Sequence, residues 1–344
     1  MRITRETLLR VAKETAIKRS LSEPSLAAAY LTGSVLGEDP FLGGSTDIDL
    51  VLVHAEEPPL RREIVAVTPD VHLDIRHAHQ EEYKNPKELR LHPRLGPELY
   101  NPLWLYETRH FLEFVQAAVR TKYHDPANVM GRCRRNSLAA RQAWMEMLTT
   151  SVDSQPTQKA AAQPTQKAAA QVRRFLEAVA LAANAVALLT GNPLSERRFL
   201  LLFPPLAQAA GKPELTASLY ELTGAAGMDA ARMEELLPAW RKDLENALEH
   251  PGAEVGISAP RLTYYQSGMT ALIEKGSPQA ATWPLVNTWT TAAAVLPAGL
   301  QGRWKECCDM LGLSGLGLAE RLIMLDHFLD DIEELLDAKG EGGG

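Results

Sequence analysis

The sequence predicts an α+β protein in which a small mixed sheet is followed by an all-helical domain. Up to about residue 125, short apolar runs alternate with turns. After Asp125-Pro126 almost every segment is Ala/Leu-rich with helical spacing. The chain has 344 residues, more than one core usually serves, so two domains are expected. The expected boundaries are 1–124 for the sheet domain and 125–338 for the helical domain. A mobile linker is expected at about 151–166, and a disordered tail at 339–344.

In chain order, the first helix is predicted over about 4–19, capped by Thr4 and carrying Leu8, Leu9, Val11 and Ile17. Strands are predicted near 28–33, 48–53, 70–76 and 102–107, and a helix over 111–119 has apolar residues at helical spacing. Helices then follow at 127–150, 167–190, 195–210, 214–224, 229–250, 260–276, 280–297, 300–312 and 316–338, most of them separated by Gly or Pro. No repeat period links them, which argues against a solenoid. The octapeptide Gln155–Ala162 is copied at once as Gln163–Ala170. Its first copy is expected in a loop and its second at the start of a helix.

The most informative stretch is Tyr30-Leu-Thr-Gly-Ser34, a Gly/Pro-rich connection, and then Asp47-Ile-Asp-Leu-Val-Leu-Val53. Side chains alternate along a strand, so Asp47 and Asp49 point the same way, about 6.6–7 Å apart along the backbone. Carboxylates so placed can converge on a hard cation such as Mg²⁺. Val71-His-Leu-Asp-Ile-Arg76 alternates in the same way, with His72, Asp74 and Arg76 on one side. Beside the first strand, Asp74 would complete a three-carboxylate cluster. Asp70, Glu81 and Glu82 are nearby acids that compete for that role.

On these residues the chain resembles the nucleotidyltransferase superfamily of DNA polymerase beta, the kanamycin and streptomycin nucleotidyltransferases and the minimal nucleotidyltransferases. Their shared pattern is a strand, Gly-Ser, a loop, Asp-x-Asp or Asp-x-Glu at the head of the next strand, and a later acidic strand. The likeness covers roughly residues 25–80. It implies that Asp47 and Asp49 hold the nucleotide-bound metal, and that Asp74 shares a second metal and helps deprotonate the acceptor. It also implies that Gly33 and Ser34 meet the β and γ phosphates. The expected cofactors are two Mg²⁺ ions with a nucleoside triphosphate, taken as ATP, as co-substrate. The expected reaction moves a nucleoside monophosphate, AMP, to a hydroxyl of a small, aminoglycoside-like acceptor. A homodimer is a further implication, since residues of both subunits line the kanamycin enzyme's site. The competing readings are protein AMPylation and a non-catalytic, antitoxin-like nucleotide-binding module.

Composition narrows the acceptor. The net charge is −7, with 36 basic against 43 acidic residues, which speaks against a long nucleic acid. Cys133, Cys307 and Cys308 do not make a disulfide framework, because the number is odd and two are adjacent. The charged amino terminus lacks a signal-peptide pattern, and no apolar stretch reaches membrane-spanning length. A cytoplasmic protein with no membrane partner is expected.

Other residues invite weaker readings. Arg132, Arg134, Arg135 and Arg141 fall on one predicted helix, and Arg135 is taken as a nucleotide contact, against the plainer reading of a solvated basic stripe. His54, His72, His77, His79 and His92 lie close in sequence, but no Cys or carboxylate is evident to close a zinc site, so none is expected. The acids of the last helix, including Asp326, Asp330, Glu333 and Asp337, read as its solvent face, with a polycationic acceptor as the rival explanation.

Overall fold

A computed structural model describes residues 3–152 and 164–341. The chain divides into two compact units, Met1–Asn128 and Val129–Gly344. The first is α+β and the second helical.

Helix α1 (Arg5–Ser22) starts where Thr4 Oγ1 accepts the backbone N–H of Thr7 at 3.3 Å. It leads into β1 (Leu26–Thr32), β2 (Thr46–His54), β3 (Arg62–Thr68) and β4 (Val71–His79). Short helices α2 (Pro86–Leu91) and α3 (Leu95–Tyr100), strand β5 (Leu103–Glu107) and α4 (Phe111–Arg120) complete the unit. The sheet order is β3-β4-β2-β1-β5. Only β2 and β4 pair in parallel, in a register that sets Asp47 beside His72 and Asp49 beside Asp74. Strand β3 was not expected. Its Arg62-Glu-Ile-Val-Ala-Val-Thr68 pairs antiparallel with β4 and forms one edge of the sheet.

Alternation along the strands sorts their side chains into two cores. Ile48, Leu50 and Leu52 of β2 join Leu73 and Ile75 of β4 and Leu8, Ala12 and Ala16 of α1 on one face. Val51, Val53, Tyr30 and Ala78 pack on the other face against Leu89, Leu99, Leu112 and Val119 from α2, α3 and α4. A central strand buried on both faces must be apolar along most of its length. Strand β2 meets that demand from Leu50 to Val53, between a head where Asp47 and Asp49 stand half-exposed and an end at the buried His54.

The second unit contains α5 (Pro126–Val152), α6 (Pro164–Thr190), α7 (Phe199–Ala210), α8 (Leu215–Leu222), α9 (Ala230–Leu248), α10 (Ala259–Glu274), α11 (Pro278–Ala293), α12 (Gly302–Leu311) and α13 (Gly315–Glu341). Helix α11 is buried over most of its length and packs on α6, α7, α9 and α10. Three buried tryptophans on and around it find an acceptor for the indole N–H. Trp289 donates to Asp243 at 2.9 Å, Trp240 to Thr288 at 2.8 Å and Trp304 to Thr290 at 3.1 Å. Residues 153–163, the heart of the expected linker, lie outside the described residues, while the second octapeptide copy begins α6 as expected. Helix α13 continues to Glu341, so 339–341 are helical where a disordered end was expected.

The acids of α13 are not simply a solvent face. Arg141 of α5 donates to Asp326 at 2.5 Å, Asp330 at 2.6 Å and Glu333 at 2.9 Å, and Arg134 pairs with Asp337 at 3.0 Å. Three carboxylates around one guanidinium form a network, and its removal would leave them facing one another. Arg141→Met is expected to lower stability by about 1 kcal/mol at low salt. The loss should shrink at about 1 M salt, where screening acts within ~3 Å, and urea unfolding at both salt concentrations checks it.

Candidate functional site

The site forms where β1 ends and β2 begins. After Thr32 the chain must turn sharply beside β2, and Gly33 does so with φ 76° and ψ −157°, a region open only to glycine. A Cβ on Gly33 would also lie 1.8 Å from Oδ2 of Asp49. The glycine is therefore required twice, by its own backbone and by the carboxylate lying against it. Arg5 holds the following turn from α1, donating to the carbonyls of Val35 at 2.8 Å and Leu36 at 3.1 Å. Within that turn Ser34 Oγ is buried and makes no hydrogen bond among the described residues. A hydroxyl shut from water without a partner is costly, so it is a group that a ligand oxygen would satisfy.

The parallel β2–β4 pair brings Asp47, Asp49, His72 and Asp74 to one face of the sheet, as the alternation predicts. Asp47, His72 and Asp74 each offer a ligand atom within 4.8 Å of the others. This donor set suits a divalent cation, with oxygen ligands for Mg²⁺ and the imidazole adding affinity for softer ions.

What the sequence reading missed is Arg62. It reaches across from β3 and forks onto Asp74, Nε to Oδ1 at 2.7 Å and Nη2 to Oδ2 at 2.5 Å. Asp74 is almost fully buried while the Arg62 side chain is 44 % exposed, so the arginine is the member of the pair with room to move. The signal for β3 was present in the short apolar run Ile64-Val-Ala-Val67, rich in β-branched residues. Arg61, Arg62 and Glu63 put charge on its leading side, and the run shows no alternation.

A cavity of about 230 Å³ opens beside the carboxylates, bordered by Asp49, Asp74, Arg62, Arg76, Arg94 and Glu98. Arg76 donates to Glu98 at 2.5 Å and to the buried Tyr30 hydroxyl at 3.2 Å. Burial works against the charge on Arg76, yet its pKa is pushed up, with the Glu98 carboxylate as the standing anion beside it, so it is a permanent cation. Burial likewise pushes the Tyr30 hydroxyl well up, leaving it protonated. The cavity is thus lined by acids and cations interleaved as pairs, Arg62 with Asp74 and Arg76 with Glu98. It is smaller than the ~300 Å³ at which most ligand pockets begin, and suits part of a ligand, such as a diphosphate, better than a whole nucleotide.

Gly33, Ser34, Asp47, Asp49 and Asp74 therefore come together in the first unit. Arg135 lies half-buried on α5 in the second unit, on the same helix as Arg141. Comparison with protein-family models gives no match, and neither does comparison with curated proteins. No helix among the described residues is long and apolar enough to cross a membrane.

The clash at Gly33 has two separable parts. Gly33→Ala is expected to cost about 1–3 kcal/mol from its backbone conformation alone, plus the steric contact. Adding Asp49→Ala should return only the steric part, so a double-mutant cycle by urea unfolding should show a coupling of about 0.5–3 kcal/mol.

Proposed function

We propose that the chain is a Mg²⁺-dependent nucleotidyltransferase that moves a nucleoside monophosphate from a triphosphate, taken as ATP, to a hydroxyl of a small molecule. The observation that carries this reading is the convergence of Asp47, Asp49 and Asp74 beside a buried, unsatisfied Ser34 hydroxyl and a glycine that admits no side chain. The resemblance of residues 25–80 to the nucleotidyltransferase superfamily supports it.

The residues present fit the cation. Asp47 and Asp49 would hold Mg²⁺ through hard oxygen donors, and Asp74 would share it. When bound, a pair of such ions supplies charge stabilisation at the attacking and leaving oxygens. The chain's own groups do the rest. Ser34 Oγ donates to a phosphate oxygen, and Gly33, having no side chain, admits the Asp49 carboxylate against the turn that carries Ser34. Arg62, Arg76 and Arg94 offset the negative charge of the triphosphate, which otherwise repels an incoming hydroxyl. Asp74 accepts the acceptor's proton once Arg62 gives up part of its hold.

That hold favours a second reading. An arginine forked onto the third carboxylate neutralises it, as a nucleotide-binding module without chemistry would tolerate. The acceptor is read as small because the net charge is −7. An aminoglycoside-like polycation gains little from α13, whose acids Arg134 and Arg141 already engage.

Calorimetry with ATP, GTP, CTP and UTP, with and without Mg²⁺, tests the proposal. Expected is Mg²⁺-dependent binding of at least one triphosphate, lost in an Asp47→Asn, Asp49→Asn double variant. Absence of binding for all four would sink it for the isolated chain. Binding without metal dependence, unaffected by the double variant, would favour the module. Arg62→Ala should tighten Mn²⁺ binding several-fold in the absence of nucleotide, because it removes the positive charge forked onto Asp74; paramagnetic titration reads this directly.

A further inference from the structure

At the other end of the same strands, on the opposite face of the sheet, lies a second cluster that the nucleotide reading does not use. His54 closes β2 and His77 stands near the end of β4, both on the face covered by α1. Their rings stack, with centroids 5.1 Å apart, and His54 Nε2 lies 2.9 Å from His77 Nδ1. Glu23, the residue that ends α1, brings Oε2 to 4.0 Å from His54 Nε2. That is too long for a hydrogen bond. The ligand atoms of Glu23, His54 and His77 all fall within 4.8 Å of one another.

We propose that Glu23, His54 and His77 form a zinc site. The outward ring nitrogens of the two histidines fix which nitrogens face the ion. His77 Nε2 lies 3.1 Å from Glu63 Oε1, an oxygen that Arg19 also holds at 2.6 Å. An ionised carboxylate only accepts, so His77 carries its proton on Nε2 and presents a lone pair at Nδ1. His54 Nδ1 lies 3.3 Å from the Ser25 hydroxyl, which can accept as readily as it donates. Without an ion His54 Nε2 donates to His77 Nδ1; moving that proton to His54 Nδ1, where the Ser25 hydroxyl accepts it, frees the Nε2 lone pair at the same point. Both outward nitrogens thus have the partners that orient zinc-binding imidazoles, a carboxylate and a hydroxyl.

The spacing fits as well. Ligands of a tetrahedral zinc at 2.0–2.1 Å stand about 3.3–3.4 Å apart. The observed separations of 2.9 Å and 4.0 Å bracket that value, so modest side-chain shifts would centre the ion. Arg19 binds the other oxygen of Glu23 at 2.7 Å and fixes the direction of Oε2. With neutral imidazoles, two carboxylates and one guanidinium leave a net negative charge for the cation to meet. Both histidines are buried, whereas Glu23 and Glu63 are partly exposed and give the ion a path inward. Three protein ligands leave a fourth position for water. Imidazole and carboxylate together favour zinc over the magnesium expected at Asp47 and Asp49. The proposal is independent of the nucleotidyltransferase reading.

Zinc chloride titration against a chromophoric chelator tests it, in the full chain carrying Asp47→Asn and Asp49→Asn so that the first cluster is weakened. Expected is one zinc per chain, undisturbed by millimolar Mg²⁺. Glu23→Gln and His77→Gln should abolish it, and Glu63→Gln should weaken it by about 10–100-fold. Glu23 is exposed enough that its variant should keep the parent circular-dichroism spectrum, which separates lost binding from lost fold. Zinc retained in both the Glu23 and the His77 variants, or none bound above millimolar background, would overturn the proposal.

Discussion

The parallel pairing of β2 with β4 is the constraint on which the first unit depends. Every other neighbour in the sheet is antiparallel, so this one pair decides which ends of which strands meet. Because the partners run in the same direction, the polar residues near their starts are gathered at one end, and the histidines near their finishes at the other. Asp49 and Asp74 become neighbours there, and His54 and His77 become neighbours at the far end. A slip of either strand by one residue would turn that strand's side chains to the opposite face and put its charged residues into an apolar core. The packing of Leu50, Leu52, Leu73 and Ile75 under α1 holds the register that the polar groups require.

Acidic residues grouped this closely need compensation, and the structure provides it with arginine. Arg62 takes Asp74, Arg76 takes Glu98, Arg19 takes Glu23 and Glu63, and in the helical unit Arg141 takes three acids of α13. A guanidinium's planar fork can serve two oxygens or two residues at once, which an ammonium point charge does less well. The pairs differ in burial. Arg76 is enclosed and permanent, whereas Arg62 keeps much of its side chain in solvent above a buried aspartate. An exposed arginine can exchange its partner for water at little cost, which makes the Arg62–Asp74 contact the adjustable part of an otherwise rigid cluster.

Rigidity around that cluster comes from the backbone. Gly33 sits in a conformation closed to other residues, pressed against Asp49, while Arg5 ties the next turn to α1. The buried Ser34 hydroxyl is thereby held in place although it has no partner among the described residues. Pre-set groups of this kind lose little freedom when a ligand arrives.

By itself the sequence determined the α+β class, the helical second half and the face shared by Asp47 and Asp49, because these follow from local periodicity and from turn residues such as Gly33, which can take a conformation closed to other residues. It pointed to Asp74 through alternation along a single strand. Only the tertiary structure decided what stands across from these residues. Arg62 meets Asp74 because β3, an edge strand with a charged flank and no alternation, folds back onto β4. Glu23 and Glu63 approach His54 and His77 from a helix end and an edge strand, 31 and 14 residues away from the nearer or paired histidine. No pattern local to the histidines signals such partners, since their approach is set by how α1 and β3 pack on the sheet. Arg141 likewise finds Asp326, Asp330 and Glu333 nearly two hundred residues along the chain. Local periodicity orients a side chain relative to its own element, whereas its partner is chosen by packing between elements.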